Sequence, residues 1–398
     1  MEKIGVFGGT YNPPHMGHIL AAREVRKALG LDKIIFIPDS TPPHKEVPEG
    51  SPSPQQRLEM VKAAVKDEPY AIVSDIELSR PGKSYTSDTL VELKKLYPDA
   101  ELYLIMGTDM FLSLHTWHEP EVICSIARIA ALQREDISRS EEFVAQKIHL
   151  EQKYGAKIHL VDNSRIEISS TKVRRMLILG GVEKYLQQSV LDIIRENGLY
   201  GTGRDYKNLS DEELREVAIS LLKKKRVAHV LGCAETAEKL AERYGADVTV
   251  ARRAGLLHDI TKAIDGPDQL LLVDKYGIIV SSFERKYPKL LHAKSGSGVA
   301  KYVFGESDEV CDAIYWHTTG RADMTLMEKI IYIADYMEPN RNFPGVEELR
   351  EEVWKDLDRG LLMGMNMCIE ELIREKKVVG KDTLEARDFL DSQLNATV

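Results

Sequence analysis

The sequence predicts an α/β unit built on a parallel sheet, followed by an all-helical unit. Three observations carry that expectation. Short apolar strands alternate with amphipathic helical stretches through the first half. Strand-like alternation then gives out near residue 200. Each half also carries its own polar constellation, with a different chemistry in each.

Taken in order, residues 3–7, 33–38, 71–78, 101–106, 128–133 and 157–161 read as strands. Residues 19–29, 54–65 and 87–97 read as amphipathic helices between them. Such alternation implies parallel strands joined by crossover helices, with ligands bound at the C-terminal strand ends. Gly201-Thr202-Gly203 reads as a linker. Ser210 and Glu213, then Thr325 and Glu328, have capping-box spacing and open later helices. The expected domains are 1–202 and 206–398.

At 398 residues, two domains are the natural division. The net charge of -9 argues against general nucleic-acid binding. A local basic pocket for a phosphorylated small molecule is compatible with it. The four cysteines are far apart and lack CxxC spacing, as in reduced cytoplasmic proteins. Neither an export signal nor a run of about 20 apolar residues is present, so a cytoplasmic protein without membrane contact is expected. A homodimer is compatible with the sequence, which is silent on oligomeric state.

The first constellation is Gly8-Gly9-Thr10-Tyr11-Asn12-Pro13-Pro14-His15-Met16-Gly17-His18, directly after the first strand. Gly8 and Gly9 leave room for a phosphate, and the prolines suit a helix start. His15 and His18 lie three apart, so on a helix they share a face. A helix start with imidazoles makes an anion site. Downstream, Ile168-Ser169-Ser170-Thr171-Lys172-Val173-Arg174 adds hydroxyls at a second helix start, with Lys172 and Arg174 bringing positive charge.

Together these segments resemble the HxGH and ISSTxxR elements of the nucleotidyltransferases, which have a Rossmann-like fold. Ser84-Tyr85-Thr86-Ser87-Asp88-Thr89-Leu90, Gly107-Thr108-Asp109 and Trp117 narrow the resemblance to bacterial nicotinate-nucleotide adenylyltransferase over roughly residues 1–200. The family commonly has phenylalanine and aspartate where Tyr11 and Asn12 stand. The resemblance implies transfer of AMP from ATP, carried with Mg²⁺, to nicotinate mononucleotide. Catalysis would be positioning and charge stabilisation. His15, His18 and Arg174 would be catalytic. Gly8, Gly9, Thr10, His18, Ile168, Ser169, Ser170, Thr171 and Arg174 would hold ATP. Lys45, Thr86, Asp109 and Trp117 would hold nicotinate mononucleotide, with Trp117 either stacking on its ring or packing in the core.

The second constellation is scattered: His229, His258-Asp259, His292, His317 and Asp335. A lone His-Asp pair would mean little. The order H…HD…D resembles the HD-domain phosphohydrolases. Six imidazoles and carboxylates suit two transition metals better than one. His229, His258, Asp259 and Asp335 would hold one metal, and Asp259 would bridge to a second held by His292 and His317. Lys262 either steadies phosphoryl oxygens as a catalytic residue or is a solvated lysine. The segments 255–262, 317–320 and 334–341 are similar to the YqeK-type branch. That likeness implies symmetrical hydrolysis of diadenosine tetraphosphate to two ADP, with iron as the metal and manganese as an alternative. Arg341 would contact the polyphosphate. Hydrolysis of dNTPs or cyclic nucleotides, or a metal-holding sensor without turnover, are the alternatives.

Overall fold

In the computed structural model, which describes residues 1–41, 48, 50–80, 82–133, 140–162 and 168–396, the first strand runs Lys3–Gly9 (β1). Strands Lys33–Pro38 (β2), Ala71–Val73 (β3), Glu101–Met106 (β4), Ala127–Gln133 (β5) and Ile158–Asp162 (β6) complete one sheet. Its order is β3-β2-β1-β4-β5-β6 and every pairing is parallel. The inner strands are near-continuous apolar runs because helices cover both faces. Ile4, Ile34, Ile35, Ile37, Leu102 and Ile129 are buried. The strand order reverses between β1 and β4, so a crevice for a ligand opens at their C-terminal ends.

Two strand boundaries differ from expectation. Strand β1 runs on through Gly8 and Gly9, which pair with Ile37 and Pro38, so the glycines end the strand rather than follow it. Strand β3 stops at Val73 instead of continuing to Leu78. Its pairing with β2 ends at Phe36, and a turn over Asp75–Leu78 follows, where Leu78 N–H donates to Asp75 O.

The chain divides into two compact units, Met1–Ile178 with Val182–Gly203, and Leu179–Gly181 with Arg204–Val398. The second unit is helical, with no strand among its described residues. Both expected capping boxes form, at Ser210/Glu213 and Thr325/Glu328. In its centre the Val227–Tyr244 and Val248–Leu257 helices pack closely because of Gly255. A Cβ there would lie 2.6 Å from Ala234 Cα. No helix among the described residues is long and apolar enough to cross a membrane.

Candidate active sites

The first site is assembled where β1 gives way to the Met16–Leu29 helix. Asp39 follows β2, and Thr10 Oγ1 donates to its Oδ2 at 2.8 Å. Arg57, almost wholly buried, donates from Nη1 to Thr10 O (2.6 Å) and Asp39 Oδ1 (3.0 Å). Its Nη2 donates to Asp39 O (2.8 Å) and Ser40 O (3.1 Å). One guanidinium therefore fixes the ends of β1 and β2 together.

His15 is the N-cap of the helix rather than a residue within it. Its backbone N–H donates to His18 Nδ1 at 3.1 Å, and the two rings stack 3.8 Å apart. Gly17 permits this, because a Cβ there would lie 2.9 Å from His15 Nδ1 and 3.2 Å from Ile168 Cβ. Burial lowers the pKa of His18 to about 4. Burial first, then the neighbouring His18, lowers that of His15. Both rings are thus neutral near pH 7. With His18 Nδ1 accepting, the His18 proton resides on Nε2, which is left as a donor. These imidazoles offer hydrogen bonds rather than full positive charge.

The Ser170–Leu179 helix brings the second element to the same place. Ser169 Oγ caps it by accepting from Lys172 N–H at 3.2 Å. Ser170 Oγ donates to Pro13 O (3.0 Å), and Arg174 Nη1 donates to Asn12 O (2.6 Å). Arg174 Nη2 reaches Thr171 Oγ1 at 3.2 Å. Two helix starts and a guanidinium therefore converge on the loop after β1, an arrangement suited to a polyphosphate.

Thr86 opens the Thr86–Leu96 helix after β3. Its segment is tied to the end of β2, where Ser40 N–H donates to Ser84 Oγ and Ser84 N–H to Thr41 O. Asp109, exposed, lies in the first turn of the Thr108–Ser113 helix after β4. Trp117 is half-buried against the sheet core, and its Nε1 donates to Ser113 Oγ at 3.3 Å. Lys45 lies outside the described residues. Asp39, Arg57 and Tyr200, whose Oη donates to Asn12 Oδ1, are parts of the site that the sequence did not reveal. Asp39 had a usable signal, its place at a strand end. Arg57 and Tyr200 had none nearby.

In the second unit the six expected ligand residues come from five segments and meet in the interior. His229 is on the Val227–Tyr244 helix, and His258 ends the Val248–Leu257 helix with Asp259 next. His292 is in the first turn of Leu291–Tyr302, His317 ends Asp308–Trp316, and Asp335 is on Leu326–Met337. The liganding atoms of His229, His258 and Asp335 lie within 4.8 Å of one another, as do those of Asp259, His292 and His317. Asp259 joins the two groups. Its Oδ2 is 3.6 Å from both His229 Nε2 and His258 Nε2, and its Oδ1 is 3.3 Å from His292 Nε2 and 3.9 Å from His317 Nε2.

Hydrogen bonds on the far side of each ring settle the tautomers. His258 Nδ1 donates to Gly255 O (2.7 Å), His292 Nδ1 to Lys289 O (2.6 Å) and His317 Nδ1 to Ile314 O (2.7 Å). His229 Nδ1 donates to Glu338 Oε1 at 3.1 Å. All four Nε2 lone pairs then point inward. Burial lowers His292 and His317 to about 3 and pushes His258 well down, so these rings do not protonate. The facing lone pairs of His292 and His317, 3.1 Å apart, repel unless a cation lies between them. The donor set therefore fits two divalent transition metals.

A rim of cations borders these carboxylates. Arg226 pairs with Asp259 Oδ2, Lys262 Nζ lies 3.1 Å from Asp259 Oδ1, and Arg341 Nη2 lies 2.6 Å from Asp335 Oδ1. Lys262 is in a turn past the helix, and burial lowers its pKa to about 8. Glu338 and Arg226 are the residues missed here. Each lies three positions from a ligand, Glu338 after Asp335 and Arg226 before His229. Glu338 approaches His229 over Gly232, where a Cβ would meet Glu338 Oε2.

The first unit thus has the fold and loop arrangement of a nucleotidyltransferase, and the second holds a divalent-metal site of HD type. Comparison agrees: the cytidylyltransferase-like family matches residues 6–176 and the HD domain matches residues 226–340. Through its first half the chain belongs to the nicotinate-nucleotide adenylyltransferase family. A probable nicotinate-nucleotide adenylyltransferase of Desulfitobacterium hafniense (strain Y51) is 40% identical over 200 residues, 50% of this chain and 96% of that protein. One from Oceanobacillus iheyensis is 39% identical over 206 residues, 52% of this chain and 100% of that protein. A crystal structure of a predicted HD superfamily hydrolase involved in NAD metabolism from Clostridium acetobutylicum is 39% identical. It covers 46% of this chain and 98% of that one, with a TM-score of 0.45.

Proposed function

We propose that the chain is a bifunctional enzyme whose two activities reside in residues 1–202 and 206–398. The first half transfers AMP from ATP to nicotinate mononucleotide, giving nicotinate adenine dinucleotide and pyrophosphate, as its family membership supports. The acceptor phosphate attacks the α-phosphorus, and the bond to the pyrophosphate oxygen breaks, with no covalent enzyme intermediate. Donors of His18 and Arg174, together with two helix starts, stabilise the triphosphate, which enters with Mg²⁺. His15 holds His18 in the donating tautomer. Ser170 and Arg174 each commit one donor to the Asn12-Pro13 carbonyls, which sets the loop on which the phosphates rest. Gly8, Gly9, Thr10, Ile168, Ser169 and Thr171 complete the ATP cradle. Thr86, Asp109 and Trp117, with Lys45, take the nicotinate mononucleotide end.

The second half, of the YqeK type, hydrolyses diadenosine tetraphosphate symmetrically to two ADP. The observation that carries this reading is the bridging Asp259 between two sets of inward-facing imidazole nitrogens. Divalent metal held by His229, His258, Asp259, His292, His317 and Asp335 would supply Lewis-acid stabilisation and activate the attacking water. Arg226, Lys262 and Arg341 offer cations to the polyphosphate, and the Nδ1 hydrogen bonds keep the imidazoles in register. Water adds across the central phosphoanhydride, so each ADP leaves with its own adenosine. The nitrogen and carboxylate donors accept both iron and manganese, and the resemblance favours iron.

The test uses the full chain purified with its own metal, which is then quantified. Two ADP from diadenosine tetraphosphate, lost in His258→Ala, is the expected result. ATP plus AMP would overturn the symmetrical cut. No turnover with metal bound would overturn the substrate assignment and leave a dNTP or cyclic-nucleotide hydrolase or a sensor. The same preparation should form nicotinate adenine dinucleotide from ATP and nicotinate mononucleotide.

A further inference from the structure

Asn12 is a hub of the first site. Its carbonyl accepts from Arg174 Nη1 at 2.6 Å. Its side chain is held from both ends, with Oδ1 accepting from Tyr200 Oη at 2.7 Å and Nδ2 donating to Ser51 Oγ at 2.8 Å. Asn12 is buried, so each of these polar atoms needs its partner. An asparagine can accept at one end and donate at the other. The exchange of aspartate for asparagine noted in the sequence is therefore matched by its surroundings.

The backbone adds an independent observation. Tyr11 and Tyr200 both lie in the left-handed region, at φ 46° and φ 56°. Bulky L-residues avoid that conformation and keep it only where their surroundings enforce it. One of these tyrosines precedes Asn12, and the other holds its side chain from 188 residues away. Tyr200 sits in the short Leu199–Gly201 turn closing the first unit. Thr202 Oγ1 donates to Ile194 O and Leu199 O, which stabilises that turn separately.

We propose that Tyr200 is a positioning residue for adenylyl transfer, placing Arg174 against the triphosphate through Asn12. The inference rests on the adenylyltransferase reading above. Tyr200→Phe keeps the ring and removes one donor. On the full chain it should lower kcat for nicotinate adenine dinucleotide formation about 10-fold. KM for nicotinate mononucleotide should stay within about twofold, with the thermal midpoint unchanged. In an Asn12→Ala background the same change should add nothing, because the two residues act through one bond.

Wild-type kcat in Tyr200→Phe, or losses that add independently in the double variant, would overturn the proposal. So would a kcat loss that merely follows a fallen thermal midpoint. A wild-type chain that makes no nicotinate adenine dinucleotide would instead overturn the underlying reading.

Discussion

His229 and His258 face each other through Nε2 atoms 3.3 Å apart, while the Nδ1 of each is occupied by Glu338 and by the Gly255 carbonyl respectively. His258, kept neutral by burial and with its Nδ1–H spent on the Gly255 carbonyl, has no proton to place between them. The same holds for His292 and His317 at 3.1 Å. Four buried lone pairs aimed inward make the interior of the second unit depend on cations.

Removal of metal should therefore lower the stability of the second unit. A ligand at 100 times its Kd stabilises by about 2.7 kcal/mol, so chelation should remove about that much from a preparation holding metal at that excess. Scanning calorimetry of the full chain with and without chelator measures it. The transition that shifts should be the one abolished with His258→Ala, and an unshifted profile would contradict the metal assignment.

Glu338→Gln should weaken metal binding without removing any ligand. The carboxylate accepts His229 Nδ1–H and raises the basicity of the opposite nitrogen, while its Oε2 accepts from Asn340 N–H. An amide at this place should cost about 10- to 100-fold in affinity. Competition against a chromophoric chelator reads the change, and an affinity equal to wild type would show that Glu338 only packs.

Gly17→Ala should damage adenylyl transfer and spare the second unit. The new Cβ would meet His15 Nδ1 at 2.9 Å, so the His15–His18 stack must open. A misplacement of about 1 Å at reacting groups costs on the order of 100-fold in rate. Assaying both activities on one preparation separates a local effect from misfolding.

Acid should destabilise the first unit through its two imidazoles. His18 has a folded pKa of about 4 against 6.5 for the free side chain, and His15 is lowered as well. Below pH 6.5 the unfolded chain takes up protons that the native state refuses, so stability falls as pH drops toward about 4. His18→Asn keeps an acceptor for the His15 N–H and removes one titrating group. Its thermal midpoint should fall less than that of wild type between pH 7 and 5, and parallel curves would refute the assignment.

Much of both sites was legible in the chain because the chemistry sits in local patterns. Gly8 and Gly9 close a strand, His15 and His18 come just after it, and Ser169 to Arg174 open a helix, so short-range backbone rules come close to placing them. The six candidate ligands stand out by side-chain type, because few other roles call for histidine and aspartate in that order. Strand ends were less legible. Strand β3 is three residues long because the chain leaves β2 into the turn over Asp75–Leu78, and no local preference encodes that.

The sequence by itself determined the two-unit organisation, the parallel sheet, the helical second half and the residue types available for chemistry. Periodicity and capping act over a few residues, so they are written in the order of the chain. Only the tertiary structure decided that Arg57 clamps Asp39 to Thr10, that Tyr200 holds Asn12, that Glu338 backs His229 and that Asp259 lies between two histidine pairs. Two of these contacts join residues more than a hundred positions apart. They arise because burial leaves each polar atom needing a partner, and packing of whole elements determines which one is in reach.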